Sequence, residues 1–150
     1  MTTQTDTSRA AVWQAAALSN TYLDGVRGAI PLAAEQIAIL VRLARAARPA
    51  AGAILDLGCG DGILGHALLN AYATHPAVVL ADFSPPTLDA ARARLGQPSG
   101  AVHFTLLDYA NREWPALVTT PPLPQRYDVI VSRFSIHHQP HVAKRRIYAD

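Results

Sequence analysis

The chain has 150 residues, 50% of them hydrophobic, and a formal net charge of +2 with a pI near 9.0. That is enough apolar material for one domain with a real core, and the mild basicity lacks the concentrated patch that nucleic-acid binding requires. A single cysteine, Cys59, excludes an internal disulfide.

Residues 1–7 are polar and are expected to be disordered. The apolar stretch Ala10–Leu18 is short, broken by Gln14 and preceded by no basic region, so neither a signal peptide nor a membrane span is read; a cytoplasmic location is the default. Two helices follow. The first, about Arg9–Leu23, puts Val12, Trp13, Ala16 and Leu23 near one face. The second starts at Pro31, a favourable first helical position, and runs to about Arg48 with Ile37, Leu40, Val41 and Ala44 inward. Arg42, Arg45 and Arg48 recur towards its C-terminal end, where they complement the helix dipole as a solvated face. Pro49 and Gly52 end it.

The stretch Ile54-Leu55-Asp56-Leu57-Gly58-Cys59-Gly60-Asp61-Gly62 is the most informative in the chain. An apolar run ending in an acid and then three alternate glycines reads as a buried strand that breaks into a sharp turn. A helix from Ile63 to about Ala73 follows. Glycines there allow left-handed backbone and close approach of a ligand. A dinucleotide fingerprint would be G-x-G-x-x-G, its third glycine packing the helix on the strand. Ile63 stands in that place, and Gly65 comes too late to replace it. Asp56, inside the strand end, would repel a pyrophosphate and attract a cation. Cys59 needs only to be small; no base is placed to activate it as a nucleophile.

Three further runs follow. Val78–Ala81 ends in Asp82, Val102–Leu107 ends in Asp108, and Tyr127–Ser132 carries no terminal acid. Asp56, Asp82 and Asp108 recur every 26 residues, about one βαβ unit. The runs are continuous and rich in β-branched residues, as parallel strands buried on both faces require. Ser84 and Pro85-Pro86 open a helix over Thr87–Leu95 that Gly96 closes. The fold class is therefore α/β: a Rossmann-like parallel sheet with helices on both faces, four strands, and two helices before them. Ligands on such sheets collect at the carboxyl ends of the strands, so the three acids share one crevice. Asp82 is placed to take ribose hydroxyls, Phe83 to cover a purine face, and Asp108 with Tyr109 to meet an exocyclic amine. Asn111–Arg126, rich in proline, is a stiff connection with a short helix around Trp114. His137, His138 and His141 have metal-like spacing, but Pro140 disfavours one helix through them and no acid or thiol is close, so no metal is expected. His137 and His138 instead fall at the crevice mouth, where either can serve as a general base.

Ile54–Gly62, Val79–Ser84, Leu106–Tyr109 and Tyr127–His138 together resemble, in order and spacing, the four successive motifs of class I S-adenosylmethionine-dependent methyltransferases. The resemblance covers about 100 residues, from Ala53 onward. It implies S-adenosyl-L-methionine as cofactor, with Gly58, Cys59, Gly60 and Gly62 under its methionine part and Asp56 facing its amino group through the turn or a water. It further implies that Asp82 holds the ribose, that Phe83 flanks the adenine, and that Asp108 and Tyr109 meet the adenine edge. Ser132 and Arg133 would line the methionine side. Residues 8–48 would form a helical lid from which Tyr22 or Arg27 reaches the methionine carboxylate. Residues 53–150 would form the cofactor domain. The family continues the sheet in the order 3-2-1-4-5-7-6, so this chain is expected to be truncated after its fourth strand, or else to cover that edge with a partner chain. Transfer of the sulfonium methyl to an acceptor, a small molecule, is the expected activity, with neither nucleic acid nor membrane as partner. The alternatives are a non-catalytic S-adenosylmethionine-binding fragment or interaction module, and an NAD-type Rossmann oxidoreductase.

Overall fold

The computed structural model describes residues 30–96 and 101–150. The disorder expected at residues 1–7, the helix at Arg9–Leu23, and Tyr22 and Arg27 lie outside the described residues. Apolar runs with no period-3.6 stripe become strands here: β1 Ala53–Leu57, β2 Ala77–Asp82, β3 Val102–Leu106 and β4 Val129–Val131. They form one parallel sheet in the order β3-β2-β1-β4. Among the described residues the helices are α1 Ala33–Ala47, α2 Ile63–Ala71, α3 Pro85–Leu95, α4 Trp114–Thr119 and α5 His141–Ile147.

Successive strand residues point to opposite faces, so each apolar run feeds two cores. Ile54, Val78 and Leu80 pack with α1, α2 and α3 through Ala44, Leu64, Leu68, Leu88, Ala91 and Leu95. Leu55, Leu57, Val79 and Ala81 pack on the other face with Trp114 and Val118 of α4 and Ile147 of α5. In α1, Ile37, Leu40 and Val41 lie against the first core beside buried Ala44, the face that the helical period assigned inward. Pro85 and Pro86 do open α3, and the Gly96 N–H closes it on the Arg92 carbonyl. Ser84 gives no side-chain cap; its carbonyl accepts from the Thr87 hydroxyl instead. No described helix is long and apolar enough to cross a membrane.

Two elements differ from the sequence reading. The fourth strand is shorter than the apolar run Tyr127–Ser132: it starts at Val129, after Asp128, whose N–H donates to the Ala53 carbonyl of β1 at 2.9 Å. The Asp128 carboxylate oxygen accepts the N–H groups of Gly52 (2.7 Å) and Ala53 (3.1 Å), tying the entrance of β4 to that of β1. Two residues past the other end of the run stands Phe134, whose φ of 51° is left-handed. β4 is the outer strand of the described sheet, with Ile130 58% exposed on it.

The second difference concerns Gly65. A Cβ there would stand 2.9 Å from a Leu80 methyl and 3.2 Å from the Asp56 carboxylate. Gly65 therefore does what the third glycine of a dinucleotide fingerprint would do, letting α2 press onto the sheet, and Ile63 by itself says nothing against a dinucleotide.

Gly65→Ala is expected to lower stability by about 1–2 kcal/mol in urea unfolding, overpacking outweighing the better helix propensity of alanine; a more stable variant would disprove the close approach. Asp128 has its carboxyl held below the usual range, first by the Gly52 and Ala53 N–H groups. Its contribution is present above the unfolded value near pH 3.9 and is lost as pH falls through the lower folded value. Asp128→Ala should thus destabilise the chain by a constant amount above about pH 5, and the gap to the parent should close at lower pH.

Candidate functional site

The turn between β1 and α2 must satisfy a run of backbone N–H groups, only some of which the neighbouring strand can take. Gly58 and Cys59 both donate to the Ala81 carbonyl, at 2.8 and 3.0 Å, which fastens the turn to the end of β2. Gly60 donates to Asp82 Oδ2 at 2.9 Å, Ile63 to Asp61 Oδ1 at 3.4 Å, and Gly65 to Asp56 Oδ2 at 2.9 Å. Gly58, Gly60 and Gly62 all have positive φ (72°, 57° and 73°), the conformation the alternate glycines predict. At Gly62 an added Cβ would also meet Leu80, Leu95 and Ala91 at 2.9–3.1 Å, so the turn is seated on the first core.

The acids serve the turn before they serve any ligand. Asp56 is 1% exposed and lies beneath the turn, bonded to the start of α2, and so does not face the crevice as read from sequence. Burial pushes its carboxyl up to about 7; the Gly65 N–H opposes the shift, and Asp82 and Asp61 add to it. Asp82, 7% exposed, takes Gly60 on one oxygen and the Ser84 N–H (3.0 Å) and Thr87 hydroxyl (3.1 Å) on the other. Burial raises its carboxyl too, against those donors. A carboxylate has about four lone-pair sites, and the Gly60, Ser84 and Thr87 donors, with the Phe83 N–H beside them, take up most of those on Asp82.

Asp61, unassigned by sequence, is 4% exposed and paired with Arg94 of α3 at 2.5 Å, while the Arg94 Nε–H donates to its carbonyl at 3.0 Å. The two residues are 33 apart in the chain, and no local pattern announces the pair. Cys59 is buried, its thiol raised first by desolvation and then by Asp56 and Asp82, which suits a small filler rather than a nucleophile.

At the end of β3, Asp108 is exposed and caps its own turn, accepting the Ala110 N–H at 2.8 Å. Tyr109 does not join it at an adenine edge. Its ring, 4% exposed, sits in the second core, and its hydroxyl meets Ser135 Oγ at 2.5 Å. The alternation of a strand end, one residue out and the next in, separates the two side chains. Phe83 is half-buried beside Asp82.

Past β4 the chain crosses back over the turn. A Cβ on Gly58 would fall 1.8 Å from Ser135 Oγ, so what that glycine admits is Ser135. The strap that carries Ser135 holds Ser132, whose Oγ is buried without a hydrogen-bond partner, and Arg133, whose Nη2 lies 3.5 Å from Gln36 of α1. Phe134 costs roughly 1–2 kcal/mol in its left-handed backbone. His137 and His138 are exposed on a 3-10 turn and stack on each other, with centroids 3.9 Å apart. Among the described residues no three His, Cys, Asp or Glu side chains gather as a metal would need.

The structure thus brings together Asp56, Asp61, Asp82, the glycines, Tyr109 and Ser135 around one turn. Asp108 stands at its rim, and the histidines stand on the strap. Sequence reasoning missed Asp61, Arg94, Thr87 and Ser135. Of these only Thr87, three residues into the helix after Ser84, had a local signal.

A family model described as a methyltransferase domain matches residues 55–148. An S-adenosylmethionine-bound amino pentose methyltransferase from Micromonospora echinaspora is 27% identical, with a TM-score of 0.54 over 77% of this chain and 43% of that one. An O-methyltransferase family protein from Burkholderia thailandensis has a TM-score of 0.70 at 20% identity, over 94% of this chain and 38% of that one. A sugar N-methyltransferase from a Streptoalloteichus species has a TM-score of 0.53 at 20% identity, over 74% and 39%. The chain spans only 38–43% of the length of these three structures. No curated protein matches it by sequence. The family match takes in more than half of the chain and runs from β1 into α5. The chain therefore belongs to the methyltransferase-domain family, and its β3-β2-β1-β4 sheet is the Rossmann-like fold of class I S-adenosylmethionine-dependent methyltransferases.

Proposed function

We propose that the chain binds S-adenosyl-L-methionine across the glycine turn and directs its methyl to a small-molecule acceptor. The observation that carries this reading is where the turn's donors go. A pyrophosphate site needs free N–H groups at a helix N-terminus. Here the N–H groups of Gly60, Ile63 and Gly65 are already taken by Asp82, Asp61 and Asp56. What remains is an acidic turn, which disfavours NAD and suits a ligand with an ammonium and a sulfonium.

The residues present fit that ligand. The buried, unpartnered Ser132 hydroxyl at the end of β4 is a polar group awaiting a bond on the methionine side. The Asp82 carboxylate at the end of β2 suits a ribose hydroxyl, Phe83 beside it an adenine face, and exposed Asp108 an exocyclic amine. Arg133 stays on the methionine side by way of α1. Asp56 acts from beneath, by holding the turn. Outside the described residues, Tyr22 and Arg27 remain proposed contacts to the methionine carboxylate.

S-Adenosylmethionine, when bound, supplies an activated methyl on a cationic sulfur. The protein's own work is to hold donor and acceptor in line, which is worth about 7–11 kcal/mol where alignment is good. His137 and His138 stand on the strap to take a proton from the acceptor. The amino pentose and sugar N-methyltransferases among the similar structures support a small acceptor. So does the lack of a concentrated basic patch.

Asp82→Ala should weaken S-adenosylhomocysteine binding about 10- to 100-fold in calorimetry, the loss of a charged hydrogen-bond acceptor and of the Gly60 anchor; unchanged affinity removes the ribose assignment. Thermal shift with S-adenosylmethionine, S-adenosylhomocysteine and NAD should show stabilisation by the first two, and stabilisation by NAD alone would end the methyltransferase reading. For Asp56 the folded carboxyl keeps its proton to about pH 7, whereas the unfolded one releases it near pH 3.9. Folding takes up a proton in that window, so this group's contribution falls as pH rises through 7. Asp56→Asn should match the parent only at about pH 3, below both values, and exceed it in urea resistance at pH 8; equal curves at pH 8 would show the carboxyl ionised at no cost.

A further inference from the structure

The strap past β4 carries four planar groups in a row. The Arg133 guanidinium lies over the Phe134 ring at 4.5 Å. Phe134 meets His137 edge-on, with centroids 6.4 Å apart and planes at 89°. His137 stacks on His138 at 3.9 Å with a tilt of 39°. Phe134 is 41% exposed, and both histidines are exposed. Among the described residues, neither buried cluster includes these rings.

Phe134 also holds a backbone conformation that a bulky residue rarely adopts. Strain of that kind persists where the surroundings over-determine it, and it gathers at ligand sites. Glycine or asparagine would fit the same φ without a ring, so folding alone gives no reason for an aromatic there. The next residue, Ser135, sits directly on Gly58 of the glycine turn. The row of rings therefore starts within one residue of the proposed cofactor crevice.

We propose that Phe134 and His137 form the acceptor-binding corner, and that its acceptor is a planar aromatic molecule carrying a hydroxyl or a ring nitrogen. The inference rests on the methyl-transfer reading of the same crevice and names its substrate class. Two rings at right angles make an L-shaped wall: one offers a face and the other an edge, the two arrangements in which aromatic pairs attract. Arg133 covers one side of Phe134. A saturated ring of equal bulk gains contact area from such a wall but no face-to-edge attraction. His138, stacked behind His137, fixes the orientation of the corner.

The test uses 2-naphthol and its saturated analogue decahydro-2-naphthol, titrated into the full chain with and without S-adenosylhomocysteine and followed by protein NMR. The expected result is that 2-naphthol binds about tenfold more tightly than the saturated analogue and shifts the His137 and His138 ring signals. Phe134→Leu should abolish that preference while leaving S-adenosylhomocysteine affinity within about twofold. Phe134→Gly, which suits the observed φ, should keep the parent's melting temperature and lose 2-naphthol binding, showing that the loss is not unfolding. Equal binding of the two naphthols, or a preference that survives both substitutions, would overturn the proposal. Naphthol binding that obeys these rules in a chain that fails to bind S-adenosylhomocysteine would uphold the planar corner and sink the methyl-transfer reading instead.

Discussion

The backbone of the glycine turn reverses too sharply to find strand partners beyond Gly58 and Cys59, and its remaining N–H groups cannot be left dry. The protein answers with carboxylates from the strand end beneath it, from the neighbouring strand and from the turn itself: Asp56 to Gly65, Asp82 to Gly60 and Asp61 to Ile63. Much else follows from those three bonds. They fix where α2 begins, they hold the turn against β2, and they require β1 and β2 to end level, as the pairing of Leu57 with Ala81 provides. Gly65 completes the arrangement by bringing the helix close enough for Asp56 to reach it.

The sheet was largely legible in the sequence because a parallel strand buried on both faces leaves a continuous apolar run, and the acids and glycines mark where each run stops. Strand order followed from resemblance and was found as implied. Side-chain direction was far less legible. Asp56 reads as an acid aimed at a ligand, but in a strand the residue two before the turn can point under it as easily as over it. Asp108 and Tyr109 read as a pair, although alternation sends one outward and the other into the core. The Asp61–Arg94 ion pair and the Ser135 contact on Gly58 join residues 33 and 77 apart in the chain, distances across which no periodicity speaks.

The two ends of the sheet are built for different purposes. At the amino ends, Asp128 clamps the entrances of β1 and β4 with two backbone hydrogen bonds, and its carboxyl titrates in the direction that favours the folded state. At the carboxyl ends, burial raises the carboxyls of Asp56 and Asp82, so those groups oppose folding when ionised. An orphaned Ser132 hydroxyl and a left-handed Phe134 add to the cost on the same side. Such unfavourable features gather on the face where ligands collect, and the two apolar cores beneath supply the stability they consume.

Electrostatics narrows the buried acids of the crevice to one charge. Arg94 neutralises Asp61, and Asp56 is about half protonated near neutral pH because its carboxyl titrates at about 7. Asp82 is then the acid whose negative charge a ligand meets most fully, even though burial raises its carboxyl as well. A unit charge about 4 Å away would feel it by roughly 4 kcal/mol at the effective dielectric of a protein surface. An energy of that size, favourable for a cation and unfavourable for a phosphate, separates the two ligand classes by about a thousandfold each way. The Gly60, Ile63 and Gly65 N–H groups act in the same sense, since a phosphate would have to displace a carboxylate to reach any of them. Selectivity on this Rossmann-like sheet thus rests less on how the glycines are spaced than on which groups hold the N–H donors the glycines create.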